Sequence, residues 1–347
     1  VPKFPFEAAQ RVTVEKGSVM KLGTLKNPQR RDGDLVVVSR DNSHAVLAGH
    51  IAHSLRDALE SWETSKPKLE ALYQKLNDGN VTNAFPVDPS QFHSAMPRAF
   101  GWLDGSAFIQ HVKLVRQARN APLPEGLETD PLMYQGGSDS FLAPTEDIPM
   151  VDYNHGVDFE GEVAVITGDI PIGATPAEAL EQVRLIVLVN DVSLRGLIPA
   201  ELKKNFGFLV SKPSSALSPF AITPDELGSA WKDGRVHLPL NVTYNGEFFG
   251  CAEAGAMHFS FGELLAHAAQ TRPLSAGTIL GSGTVSNEDT SKGSSCLAEK
   301  RMLEKINTGE FTTSFMKEGD TIRIEMLDKN GASLFGTIEQ KVSKYNR

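Results

Sequence analysis

The stretch DFEGEVAVI, residues 158–166, carries two glutamates, Glu160 and Glu162, one residue apart. Its composition favours a strand, and strand side chains alternate between faces. Glu160 and Glu162 therefore share one face, while Phe159, Val163 and Val165 share the other. Like charges side by side repel. A water-facing strand tolerates that repulsion, and a bound cation turns it into attraction.

Outward from this strand, the punctuation is that of a β-rich chain. TPAE at 175–178 is a capping box with proline at the first helical position, and its helix leads into the apolar LIVLVNDVS. TPDE at 223–226 repeats the device, and SFGE at 260–263 opens a helix to about residue 270. VHLPLNVTYNGEFFG predicts a hairpin turning at Asn245-Gly246, and DTIRIEMLDKNGASLFGTIEQKV another at Asn330-Gly331. DGSAFIQHVKLVRQAR has helical spacing at Phe108, Val112 and Val115. Upstream, GHIAHSLRDALESW and KPKLEALYQKLNDG predict two helices, the second stopped by Gly79. Many strands, few long helices and no regular βαβ alternation give an α+β class. Residues 1–19 read as an upstream extension or appended remnant, because MKLGTLKN offers a cleaner start at Met20. Residues 20–97 read as a small N-terminal α+β domain and 98–347 as a β-rich catalytic domain.

The 347 residues carry a formal net charge of −9, which argues against nucleic acid or an anionic membrane as main partner. No apolar run approaches the ~20 residues of a membrane span. Cys251 and Cys296 lack metal-type spacing and read as ordinary buried thiols, and so few cysteines point to a reducing, cytoplasmic setting. His50 and His53 read as surface or packing residues. The chain lacks the nucleophile elbow G-x-S-x-G, the phosphate loop and H-E-x-x-H.

Single carboxylates are weak signals. Asp191 follows the apolar run 185–189, where a carboxylate needs a partner, and a turn or cap would supply one. Asp104 reads equally as a helix N-cap. The combination is more specific. DFEGEVAVITGD, VNDVSLRGL and ILGSGTVSN, in that order and spacing, resemble the fumarylacetoacetate hydrolase family over roughly residues 98–347. The resemblance implies a mixed β-sandwich roll preceded by the smaller domain of the longer members.

It further implies a divalent cation held by Asp104, Glu160, Glu162 and Asp191. An all-oxygen set suits Mg²⁺, with Mn²⁺ or Ca²⁺ as alternatives, better than zinc. His111, seven residues after Asp104, matches the family's general base; on spacing alone it is one more helix-face residue. Its orienting acid is expected at Glu288 or Asp289, with the register favouring Asp289. Lys212 matches a lysine that steadies an oxyanion. Arg116 or Arg119 would clamp a substrate carboxylate, and Tyr134 and Thr284 would touch substrate. Two departures bear on the substrate: Ser215 or Ala216 replaces a family threonine, and Ile198 replaces a glutamine. The implied activity is hydrolysis of a C–C bond in a small β-diketone acid, fumarylacetoacetate or a related acylpyruvate, in aromatic-compound and tyrosine breakdown. A homodimer is the implied assembly. The rivals are a hydratase, isomerase or oxaloacetate-type decarboxylase of the same superfamily, and a non-catalytic metal-stabilised binding protein.

Overall fold

The glutamate strand runs Gly161–Thr167 and is buried along its whole length. Val163 and Val165 enter one core, and Ala164 and Ile166 enter another on the opposite face. A strand covered on both faces cannot leave a charged face in water, so the two glutamates must find partners inside the protein. The computed structural model in which this is seen describes residues 19–346 apart from 119–121 and 124. The expected extension, except Val19, and Arg119 lie outside the described residues.

Among the described residues the main sheet has eleven strands. At its centre Gly161–Thr167 lies between Val183–Asn190 and Thr278–Gly281, antiparallel to both. Beyond Thr278–Gly281 come Gly101–Gly105, parallel to it, and then Met133–Gly136. In the other direction Phe220–Ile222 joins Val183–Asn190 to Lys21–Asn27, and the N-terminal strands continue the sheet from there. The fold is thus α+β and β-rich, with a small N-terminal α+β domain that extends the main sheet.

Helices Leu55–Glu60 and Trp62–Asn77 cover one face. Leu59, Trp62, Leu69 and Tyr73 share a core there with Ile166, Leu185 and Val187. The other face packs on a five-stranded sheet containing Pro239–Tyr244, Thr321–Glu325 and Ile338–Lys344. Leu240, Val242, Ile322 and Ile324 meet Val163, Val165 and Leu188 in that core. The Asn245-Gly246 hairpin forms as expected, with both turn residues at positive φ. The capping boxes at Thr175 and Ser260 form as well. Two local expectations do not hold. Thr223 does not cap its short helix, because its hydroxyl accepts the Met20 N–H at 3.0 Å and ties the N-terminal strand down instead. Asp104 is no N-cap: it lies inside Gly101–Gly105, five residues before the first residue of helix Ile109–Ala118. Of the two thiols, Cys296 is buried and Cys251 only half-buried.

Because the cover helices share a core with the central strands, the two regions should unfold together. Leu69→Ala, at a fully buried site, should cost ~2–5 kcal/mol by urea denaturation and shift one cooperative transition. A separate early transition confined to the N-terminal region would contradict the shared core.

Candidate active site

Asp104, Glu162 and Asp191 reach one point because of strand register. Asp104 is two residues from Trp102, Glu162 two from Ala164, and Asp191 two from Val189, and those three all face the helix-covered core. Asp191 follows directly on Val183–Asn190, where Val189 pairs with Glu162. Gly281 lies between the other two strands, paired with Ala164 on one side and Asp104 on the other. A Cβ on Gly281 would sit 2.4 Å from Asp104 Oδ1 and 3.0 Å from Glu162 Oε2. The missing side chain is the space the carboxylates occupy. One oxygen each of Asp104, Glu162 and Asp191 lie within 4.8 Å of one another, and all three residues are buried.

Their partners are uneven. Asp191 accepts from Ser215 Oγ at 2.6 Å, Tyr134 Oη at 2.7 Å and Lys212 Nζ at 2.6 Å. Asp104 accepts the Gly283 N–H at 3.0 Å. Both oxygens of Glu162 are buried without a hydrogen-bond partner. Burial, followed by the charges of Asp104 and Asp191, pushes the Glu162 carboxyl well above its usual range. Burial, followed by Asp191, pushes Asp104 up to about 8. Three crowded carboxylates with two orphaned oxygens fit a divalent cation, and the all-oxygen donors fit a hard one.

Glu160 does not join this group. The ladder begins only at Gly161, and the Glu160 carboxylate turns instead between two cations, Lys212 Nζ at 2.6 Å and Arg195 Nη2 at 2.7 Å. Thr284 Oγ1 and Ser193 Oγ also donate to it, at 2.8 and 3.0 Å. Burial alone would raise its pKa, but Arg195 and Lys212 outweigh burial and hold it well below the carboxylate range. Three of the four expected carboxylates thus meet at one point, while Glu160 stands beside them, paired to Lys212 and Arg195. Glu160, His111 and Cys296 also approach within 4.8 Å of one another. With Glu160 bound to two cations, that second cluster has no carboxylate to spare.

Lys212 lines the cleft, and its three N–H bonds go to Glu160, Asp191 and Ser193 Oγ at 2.6–2.7 Å. An ammonium has three donors, so an oxyanion would have to take the place of one of these partners. Its loop is held by Glu201, whose carboxylate accepts the N–H groups of Leu209, Val210 and Ser211 at 2.9–3.1 Å.

His111 sits on helix Ile109–Ala118, and its Nδ1 lies 2.9 Å from Glu299 Oε2. Opposite a carboxylate, Nδ1 is the ring nitrogen that donates, which leaves Nε2 as the acceptor of that tautomer. The carboxylate beside His111 is Glu299, rather than Asp289 or Glu288. Asp289 is exposed and spent on Ser291, accepting its N–H at 3.1 Å and its hydroxyl at 2.6 Å. Glu288 is exposed beside a different hollow with Gln110 and His258. Glu299 lies in the first turn of helix Leu297–Thr308, and its N–H is capped by Cys296 Sγ at 3.3 Å. That helix is anchored by Asp158, which accepts the Leu297 and Ala298 N–H groups at 2.8 and 2.9 Å and also Arg195 Nε at 2.9 Å. No local motif marks Glu299, whose place follows from helix packing. Asp158 and Arg195 lay inside the motifs quoted above, but nothing in their spacing told them from solvated charges.

A cleft of about 170 Å³ joins these groups, lined by Asp104, His111, Tyr134, Glu160, Lys212 and Thr284 among others. A hollow of about 1320 Å³ between the N-terminal domain and residues 225–230 touches none of them; chemistry, rather than size, locates the site. Tyr134 and Thr284 line the cleft, but their hydroxyls are committed to Asp191 and Glu160. Arg116 does not line it. Five residues past His111, it sits about 140° around the helix, facing elsewhere.

Two outcomes follow. Gly281→Ala should weaken Mn²⁺ binding, measured by calorimetry, by about 10- to 100-fold, because the new methyl takes the carboxylates' space. Equal affinity would contradict the cradle. Glu299→Gln should lower turnover by ~10²-fold or more, while Asp289→Ala leaves it unchanged; the reverse pattern would restore the original assignment.

Comparison with known proteins agrees with this architecture. A family model described as "Fumarylacetoacetate (FAA) hydrolase C-terminal" matches residues 101–343, and "Fumarylacetoacetase N-terminal domain 2" matches 20–98. The chain is 24% identical over 231 residues to 2,4-didehydro-3-deoxy-L-rhamnonate hydrolase of Sphingomonas sp. (strain SKA58), covering 65% of this chain and 68% of that protein. It is 28% identical over 130 residues to oxaloacetate tautomerase YisK of Bacillus subtilis (strain 168), covering 38% and 41%. In fold it is similar to maleylpyruvate hydrolase from Sphingobium sp. SYK-6, with a TM-score of 0.62, 14% identity, and coverage of 94% of this chain and 100% of that one. Since the catalytic-region model takes in most of its length, the chain belongs to the fumarylacetoacetate hydrolase family.

Proposed function

We propose that this enzyme hydrolyses a C–C bond in a β-diketone acid, an acylpyruvate or fumarylacetoacetate-like compound from aromatic-compound or tyrosine breakdown. The observation that carries the reading is a carboxylate-paired histidine, His111 with Glu299, lining the same cleft as Asp104, which belongs to the cluster of three buried carboxylates. A hydrolase needs a base for water, and we assign that role to His111 Nε2. Asp104, Glu162 and Asp191 would hold the divalent cation, Mg²⁺ or alternatively Mn²⁺ or Ca²⁺. When bound, it supplies Lewis-acid polarisation of the diketone oxygens.

The chain's own residues do the rest. His111 takes a proton at Nε2 from water, and the water oxygen bonds to the acyl carbonyl carbon. Glu299, across Nδ1–H, stabilises the imidazolium formed. The bond from acyl carbon to methylene carbon then breaks, its electron pair leaving as the enolate of the keto acid. The proton held at Nε2 returns to that methylene carbon, giving a carboxylic acid and a keto acid, an α-keto acid where the substrate is an acylpyruvate. Lys212 keeps Asp191 and Glu160 apart and neutralised throughout, and Tyr134 fixes Asp191 from the other side.

Within the chain we place the catalytic domain from about residue 98 onward and the assembly as a homodimer. The exposed Phe206, Leu209 and Val210 support a second copy as the partner. A cytoplasmic setting is the companion proposal; no helix among the described residues is long and apolar enough to cross a membrane.

Loss of diketone absorbance on an acylpyruvate tests the reading. Excess chelator should abolish turnover, and Mg²⁺ or Mn²⁺ should restore it. His111→Ala should lose ~10²–10⁴ in kcat while still binding Mn²⁺. Oxaloacetate tautomerisation or decarboxylation without any acylpyruvate cleavage would move the enzyme to the related non-hydrolytic chemistry.

A further inference from the structure

We infer that the acyl group of the substrate is short and uncharged, an inference that rests on the hydrolase reading above and, within it, selects an acylpyruvate over a fumarylacetoacetate-like compound, whose acyl group ends in a carboxylate. The charged groups of the cleft are already engaged. Among its described lining residues the cations are Lys212 and Arg195. Lys212 is spent on Glu160, Asp191 and Ser193, and Arg195 on Asp158 and Glu160. With the α-keto acid end at the carboxylates, the acyl carbonyl lies before His111. What remains for the acyl chain is Phe108, Ile198 and Phe208, with Ser106 the neutral polar neighbour.

This wall is built. Phe108 is buried, immediately precedes helix Ile109–Ala118 and lines the cleft together with His111. Phe208 packs edge-on against Tyr134, with ring centroids 5.6 Å apart, and Tyr134 is bonded to Asp191. Ile198 opens helix Ile198–Leu202, and Glu201 of that helix binds the backbone of 209–211, so Phe208 is held beside Ile198. The volume agrees: about 170 Å³ falls below the ~300–1,000 Å³ of pockets for drug-sized ligands. A carboxylate at the end of the acyl chain would lie against apolar side chains without a counter-ion, which is costly.

The test uses the full-length Mg²⁺-loaded enzyme and pyruvates acylated with saturated two- to four-carbon groups. Each is compared with an acyl chain of matched length ending in a carboxylate. The kcat/KM ratio should favour the uncharged acyl group by about a hundredfold or more. Ile198→Arg, checked for folding by its melting curve, should narrow that ratio at least tenfold. If the variant does not fold, Phe208→Ala should instead raise relative activity on the longer uncharged chains. Equal or reversed preference in the parent enzyme overturns this inference but leaves the hydrolase reading standing. Cleavage of neither class overturns both.

Discussion

The burial of Glu162 is the constraint on which the rest of the site depends. Its two oxygens lie inside a sheet covered on both faces, beside Asp104 and Asp191, and no group among the described residues donates to them. Such an arrangement is expensive for an unliganded protein, since a buried charge without a partner costs far more than a surface one. The surrounding residues stabilise its neighbours: Lys212, Tyr134 and Ser215 all donate to Asp191, and Gly283 to Asp104. Glu162 alone is left facing inward, which is where a cation is needed.

The strands decide this geometry more than the loops do. Adjacent antiparallel and parallel partners bring residues far apart in sequence to one level, and Gly281 keeps that level open. On the far side a chain of charges runs from Glu160 through Arg195 and Asp158 to the first turn of the helix bearing Glu299. The orientation of His111 is thereby coupled to the carboxylate centre through fixed contacts, in keeping with a base that works on groups bound there.

The sequence was legible where local periodicity or a short motif determines the outcome. The glutamate strand, the Asn245-Gly246 hairpin and the Thr175 and Ser260 capping boxes are readable because each is settled within a few residues. The glutamate pair correctly announced an unusual site, yet alternation alone could not show that Glu160 leaves the ladder one residue early and turns to Arg195. Glu299 was missed because its link to His111 spans 188 positions and depends on how two helices pack. The nearer acids, Glu288 and Asp289, satisfy the sequence spacing but point to solvent or cap a turn. Likewise, the engagement of all three Lys212 donors is a tertiary fact with no trace in SKPSS.

We propose that Asp104, Glu162 and Asp191 hold a hard cation, with Glu160 beside them paired to Arg195. Anomalous diffraction from crystals of the Mn²⁺-loaded protein measures this directly. The account predicts one strong manganese peak bonded to oxygens of Asp104, Glu162 and Asp191, with Glu160 still paired to Arg195. A peak ligated elsewhere, or no peak among these three carboxylates at saturating Mn²⁺, would contradict it.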